Sequence, residues 1–229
     1  MTSKFEVNQN DEVNQLTETS GNMCANKQDE AALAIIRPLQ DATLLDNSGY
    51  VDAGKLTYRL QRGAHGGNSV FFNRNGADFR YSLTDGVTGS MYLAFDPLTP
   101  MKEVFQGKKS LGESDLDIHY IGQVVIEKDV RVLLVKHLVR STPLTINHVT
   151  TGTRAVTQLL AEKARAAGLD GILFTSNVTG EDCLVLWHDD VAGTGMAVTR
   201  SQTRLTDFEY NGQEAADILV YSLGIPVDE

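Results

Sequence analysis

The stretch GSMYLAFDPLTPMKEVF (89–105) places a tyrosine, Tyr92, on a short apolar run and an acid, Glu103, eleven positions later, beyond the break at Asp96-Pro97. Folding alone does not require that pair at that offset. It describes either an ordinary strand followed by a surface helix, or a strand and a helix that form two sides of an active site. A second cluster lies just upstream. Residues 56–81 hold Arg59, Arg62, Arg74 and Arg80 against the single acid Asp78, a local +3 (four minus one) in a chain of net charge −10. The planar fork of arginine suits bidentate contact with phosphate. If the chain holds an anion, this is where it is expected; from charge alone, four solvated surface arginines are the plainer account.

Other chemistries find no support in the spacing. RGAHGGN (62–68) has three glycines but no GKS or GKT ending, and it lacks the strand–GxGxxG–helix setting of a dinucleotide fingerprint. The histidines His65, His119, His137, His148 and His188 form no HExxH or similar ligand pattern, so no metal site is expected. There is no GxSxG elbow. A triad drawn from Ser176, His188 and a distant acid has no distinguishing spacing. Cys24 and Cys183 lie far apart, which argues against a disulfide framework and for a reducing, cytoplasmic setting.

The elements that must position these residues are legible as short segments. Strands are expected at 55–60, 69–72, 90–95, 118–126, 130–135, 171–174 and 183–187, with Glu127-Lys128-Asp129 joining two of them as a hairpin. A helix is expected from about Asp96-Pro97 or Thr99-Pro100. Another is expected over 154–168, with Val156, Leu159, Leu160 and Ala164 on one face, Thr153 as its cap and Gly168 at its end. Strands mixed with few helices indicate an α+β fold. Residues 1 to about 33 are polar and read as mobile, apart from a short helix in AALAIIRPL (31–39) ended by Pro38. The division expected is a polar, mobile segment over 1–48 and one catalytic domain over 49–229.

Length and composition are those of a globular protein with one sizeable core. No apolar run approaches the roughly 20 residues of a membrane span, and MTSKFEVNQNDEVNQ has no apolar h-region, so no secretory leader is expected. The acidic balance argues against nucleic-acid or anionic-membrane binding.

Taken in order, YRLQRG (58–63), FNRNGADFRYS (72–82), GSMYLAFDPLTPMKEVF (89–105) and AGLDGILFTSNVTGEDCLVLW (167–187) resemble the RES-domain family, named for Arg, Glu and Ser. The resemblance covers about residues 55–190 and places the family's pattern on Arg59, Arg80, Tyr92, Glu103 and Ser176. NRNG stands where an aromatic-Asn-Pro-Gly turn is more usual, and the stretch 106–150 is long.

The resemblance implies an ADP-ribosyltransferase-like mixed sheet and an activity that breaks NAD, as substrate, at the nicotinamide–ribose bond. It also implies a toxin neutralised by an antitoxin or immunity protein, or delivered into another cell. The residues suit that chemistry. Glu103 would stabilise the oxocarbenium-like ribose and orient an incoming water or phosphate. Arg59 and Arg80 would hold the pyrophosphate, Tyr92 would face the nicotinamide ring, and Ser176 would bond a ribose hydroxyl or the carboxamide. A protein ADP-ribosyltransferase would share all five residues. The stretch Pro100-Met101-Lys102-Glu103 lacks the Glu-x-Glu or Gln-x-Glu pair of many arginine-modifying transferases, which favours a small acceptor. A non-catalytic binding module is the third reading, disfavoured because all five residues are present.

Overall fold

Each expected strand has an apolar face to bury, and how the chain covers both faces of the resulting sheet decides the architecture. The computed structural model describes residues 27–76 and 79–228. Two helices come first, α1 (27–36) and α2 (Asp41–Asp46), followed by β1 (Ser48–Val51), β2 (Leu56–Arg62) and β3 (Gly89–Ala94). Next are α3 (Leu98–Phe105), β4 (Leu111–Gly112), α4 (Glu113–Asp117), β5 (His119–Ile126) and β6 (Val130–Leu134). The chain continues through α5 (Val135–Ser141), α6 (Ile146–Val149), α7 (Ala155–Ala166), β7 (Gly171–Thr175), β8 (Asp182–His188) and β9 (Ala197–Arg204). The C-terminal part holds β10 (Glu209–Tyr210), β11 (Gln213–Glu214), α8 (Ala215–Asp217), a π-helical turn over Ile218–Ser222, and β12 (Val227–Asp228), which pairs with β4.

Eight strands form one mixed sheet in the order β1-β6-β7-β8-β3-β2-β5-β9, in which β6 and β7 run parallel and the other neighbours antiparallel. The fold is the expected α+β arrangement with a mixed sheet. Strand β8 lies near the middle and reads as a continuous apolar run because both its faces are covered. Cys183, Val185 and Trp187 face a cluster built with α1, α2, α5 and α7. Leu184 and Leu186 face a second cluster, to which Val51, Met91, Val124, Ile126, Val130 and Val132 contribute.

That second cluster corrects the expected hairpin. Strands β5 and β6 are consecutive in the chain but lie at opposite parts of the sheet, β5 between β2 and β9, β6 between β1 and β7. Their apolar side chains meet across a shared core, so the sheet curls around it. Burial on both sides outweighs the local tendency of a three-residue link to close a hairpin.

Further expectations change. The segment 69–72 forms no strand; Val70 and Phe72 plug the curled core, and the nearest ladder contact is a single bridge, Asn73 with Ser90. Strands β1 and β9 were not expected. They are the two edges of the sheet, and the solvated side of β9 (AVTRSQTR) carries no apolar alternation. The expected mobile segment is helical and packed over 27–46, where Ile36 and Leu44 are fully buried against Leu138, Val156 and Leu160; residues 1–26 lie outside the described residues. Helix α7 ends as expected, with Gly168 at φ +83° and the Gly168 and Leu169 amides donating back to Arg165 and Ala164. Its start differs, since Thr153 donates to Asp29 Oδ2 (2.6 Å) instead of capping the helix.

Candidate active site

Strands β2 and β3 touch at one register pair, Tyr58 with Ala94, whereas β2 pairs with β5 along its whole length. Beyond that pair the two strands splay, and the gap opens a cleft of about 680 Å³, within the usual range for a small-molecule site. Among the described residues its charged lining is Arg59, Arg80, Glu103 and Arg154, with Tyr92, Phe79 and Phe174 among its aromatics. Among the described residues, three arginines stand against one glutamate in this lining, in an acidic chain. Of the four arginines in 56–81, Arg62 and Arg74 lie outside it; Arg74 donates to the Asp189 carbonyl.

Helix α3 carries Glu103. The Asp96 carboxylate accepts from the Leu98 amide (2.9 Å), the Thr99 amide (2.8 Å) and the Thr99 hydroxyl (2.8 Å), which fixes the helix start at the strand end. Met101 and Phe105 anchor the opposite face against Leu60 and the C-terminal helical turns. One Glu103 oxygen then accepts from Ser176 Oγ at 2.6 Å, and the other accepts from Gln106 Nε2 at 3.3 Å. Ser176 Oγ also accepts from the Val178 and Thr179 amides, both at 3.1 Å. Those two donors leave the hydroxyl hydrogen for the carboxylate. Ser176 is fully committed, and its place is to orient Glu103 from the end of β7.

Arg80 is presented by an unusual turn. Tyr81 is buried and adopts φ +60°, a strained conformation for a bulky residue. Several bonds hold it there. Trp187 Nε1 donates to the Tyr81 carbonyl (2.9 Å), and the Tyr81 hydroxyl donates to the Val149 carbonyl (3.2 Å). Gln158 Nε2 donates to the Phe79 carbonyl (3.3 Å). The Tyr92 hydroxyl donates to the Arg80 carbonyl, so the contact of 2.7 Å with Ser82 Oγ has Ser82 as donor. The Arg80 guanidinium lies over the Phe174 ring at 5.2 Å. Tyr92 therefore has two capacities: its ring lines the cleft beside Phe79 (centroids 5.9 Å apart), and its hydroxyl holds the Arg80 turn. Burial pushes that phenol well above its usual value, so it stays a neutral donor.

Arg59 is placed by β2, where it pairs with Gly122 of β5. Its Nη1 donates to the Ser69 (3.2 Å) and Phe71 (3.0 Å) carbonyls, and so gives the non-strand segment 69–72 donors that a sheet neighbour would otherwise supply. Burial lowers its pKa to about 10, and the group remains charged at neutral pH. Cys183 lies on the cleft floor, and burial followed by the Glu103 charge pushes its thiol up to about 12, so no thiolate is available there at neutral pH.

All five residues expected from the sequence line the cleft or, for Ser176, bond the residue that does. Others had no signal. Ser82 and Tyr81 act through the turn, Arg154 enters from the start of α7, and Ser90 sits in the lining with a buried hydroxyl that has no hydrogen-bond partner among the described residues. A held carboxylate facing a cationic, aromatic-walled cleft can stabilise positive charge developing on a bound ligand that itself carries anionic groups.

The RES domain model matches residues 57–207. No curated protein sequence matches the chain. Among solved structures, a chain of the crystal structure of the M. tuberculosis MbcT-MbcA toxin-antitoxin complex superposes with a TM-score of 0.56 at 16% identity, covering 73% of this chain and 92% of that one. At that identity the likeness is one of fold.

Proposed function

Because the chain belongs to the RES-domain family, we propose that it is a toxin-type enzyme that breaks NAD between nicotinamide and ribose and passes the ribosyl carbon to water or inorganic phosphate. The observation that carries this reading is Glu103, oriented by the 2.6 Å bond from Ser176, in a cleft also lined by Arg59, Arg80 and Arg154.

The chemistry follows from charge. The bond from C1′ to the pyridinium nitrogen breaks, and its electron pair stays on the ring, which leaves as neutral nicotinamide. The ribose takes up the positive charge. Glu103, one oxygen held by Ser176, sits where a fixed negative charge lowers the energy of that state. A water oxygen that bonds to C1′ gives up a proton, with Glu103 as the available base, whereas an anionic phosphate oxygen bonds to C1′ with no proton to lose. The arginines hold the pyrophosphate, and the Tyr92 ring provides an apolar face for the departing base. An enzyme that consumes NAD endangers its host, so a neutralising protein partner accompanies this reading. Among the described residues no helix is long and apolar enough to cross a membrane.

The test is nicotinamide release from NAD by purified protein, with and without phosphate, comparing the native chain with Glu103→Ala. Release is expected, and the substitution should lower it by at least about 100-fold while the protein stays folded. Dependence on added phosphate would identify a phosphorylase, and independence a hydrolase. Folded native protein that releases no nicotinamide under either condition overturns the reading.

A further inference from the structure

We propose that a smaller cavity beside the cleft, about 400 Å³ in volume, takes the adenosine end of the dinucleotide; this rests on the reading of the cleft as an NAD site. The two cavities share four lining residues, Arg80, Thr150, Phe174 and Asn177. The smaller one lies at the carboxyl ends of the parallel pair β6 and β7, where Val135 and Thr175 line it. The cleft lies further along the same sheet, over Tyr92 and Ala94 of β3 and Cys183 of β8. From β3 to β6 is three strand spacings, about 14 Å. That is the reach of an extended dinucleotide and more than its nicotinamide riboside half needs.

Arg80 stands at the junction. Its guanidinium lies over the Phe174 ring at 5.2 Å and the Tyr81 ring at 5.9 Å, and those two rings meet with centroids 4.9 Å apart. Tyr81 lines the smaller cavity and Tyr92 the cleft, so the turn that presents Arg80 has one tyrosine on each side. Ser176 marks the same boundary: its hydroxyl holds Glu103, and the residue also lines the smaller cavity. With the reacting ribose beside Glu103 and the pyrophosphate at Arg80, the other half of the ligand continues past Phe174. The walls there suit a purine nucleoside. Val135, Ile146 and Val149 offer aliphatic surface to the uncharged faces of the base. Asn177 is exposed at the rim, with an amide that can both donate to and accept from the polar edge of adenine. Lys136, also in the lining, is paired with Asp182 at 2.7 Å, so its charge is already met.

The experiment compares the native chain with Ile146→Trp, which fills the cavity, and Ile146→Ala, which removes one of its walls. Ile146 is 51% exposed, so both variants should fold, and thermal midpoints close to that of the native chain check it. Nicotinamide release is measured from NAD and from nicotinamide mononucleotide, which has the same scissile bond and no adenosine. Binding of AMP, and of ribose 5-phosphate as the control without a base, is measured by calorimetry on the same proteins. In Ile146→Trp, kcat/KM for NAD should fall by about 10-fold or more through KM, with that for the mononucleotide little changed. Ile146→Ala should show a smaller loss of the same kind. AMP binding should weaken in step, and ribose 5-phosphate binding should not. Equal losses on the two substrates, or unchanged kcat/KM for NAD with unchanged AMP binding, overturn the proposal while NAD cleavage stands. Native protein that cleaves neither nucleotide but binds AMP in an Ile146-dependent way overturns the activity and leaves the adenosine site. Cleavage of neither and no AMP binding overturn both.

Discussion

At the scale of single residues, the site is organised by hydroxyls that spend their hydrogen bonds on other site residues. Ser176 donates to Glu103 and accepts two backbone amides; Tyr92 donates to the Arg80 carbonyl and accepts from Ser82. The expected role of Ser176, a bond to a ribose hydroxyl or the carboxamide, is better replaced by positioning of the carboxylate. Ser176→Ala should therefore act on the chemical step. It leaves the Val178 and Thr179 amides without that acceptor, for a stability loss of about 1–3 kcal/mol, measured by urea denaturation. In nicotinamide-release assays kcat should fall by about tenfold or more with little change in KM for NAD, because the ligand loses no contact. A rise in KM at constant kcat would instead return Ser176 to direct ligand binding.

At the scale of elements, each functional side chain depends on how its strand or helix ends. Glu103 is reliable only if α3 starts where Asp96 starts it. Asp96→Ala removes three acceptor contacts at that start and is expected to cost about 1 kcal/mol, within a range of about 0.5–2 kcal/mol. The urea midpoint reports that loss, and NAD turnover should drop more than the stability loss alone accounts for, since Glu103 lies on the next turn. Unchanged turnover would mean that α3 is held by Met101 and Phe105 alone. Strand β2 shows the same dependence in its packing. Gly122 faces Arg59 across the ladder, and a Cβ there would sit 2.1 Å from Ser69 Oγ, so the close approach of the Ser69–Phe71 segment needs a residue without a side chain.

At the scale of the whole molecule, the helices before residue 48 belong to the fold. Ile36 and Leu44 are fully buried in the cluster under β8, and each contributes about 1.5–3 kcal/mol on burial. A chain beginning at residue 49 should lose about 3–6 kcal/mol from these two alone, a large share of a typical stability of about 5–15 kcal/mol. Its thermal transition should be lowered or lost. An unchanged transition would show that the cluster is complete without α1 and α2.

The sequence by itself marked the candidate residues of the site, through the ordered segments that resemble the RES-domain family, and most of the interior strands. No single segment singles out Arg59, Arg80, Tyr92, Glu103 or Ser176; their order and spacing along the chain do. The sequence also narrowed the start of α3 to Asp96-Pro97 or Thr99-Pro100 and gave the end of α7 at Gly168, because caps are made by residues a few positions apart. Only the tertiary structure decided the rest. The separation of β5 from β6, the strand role of polar edge β9, the strained Tyr81 turn and the entry of Arg154 all rest on partners far away in the chain. A local pattern reports which face of a segment is apolar. It does not report which other segment will cover that face, and the cleft exists where β2 and β3 part because their cores are covered by different partners.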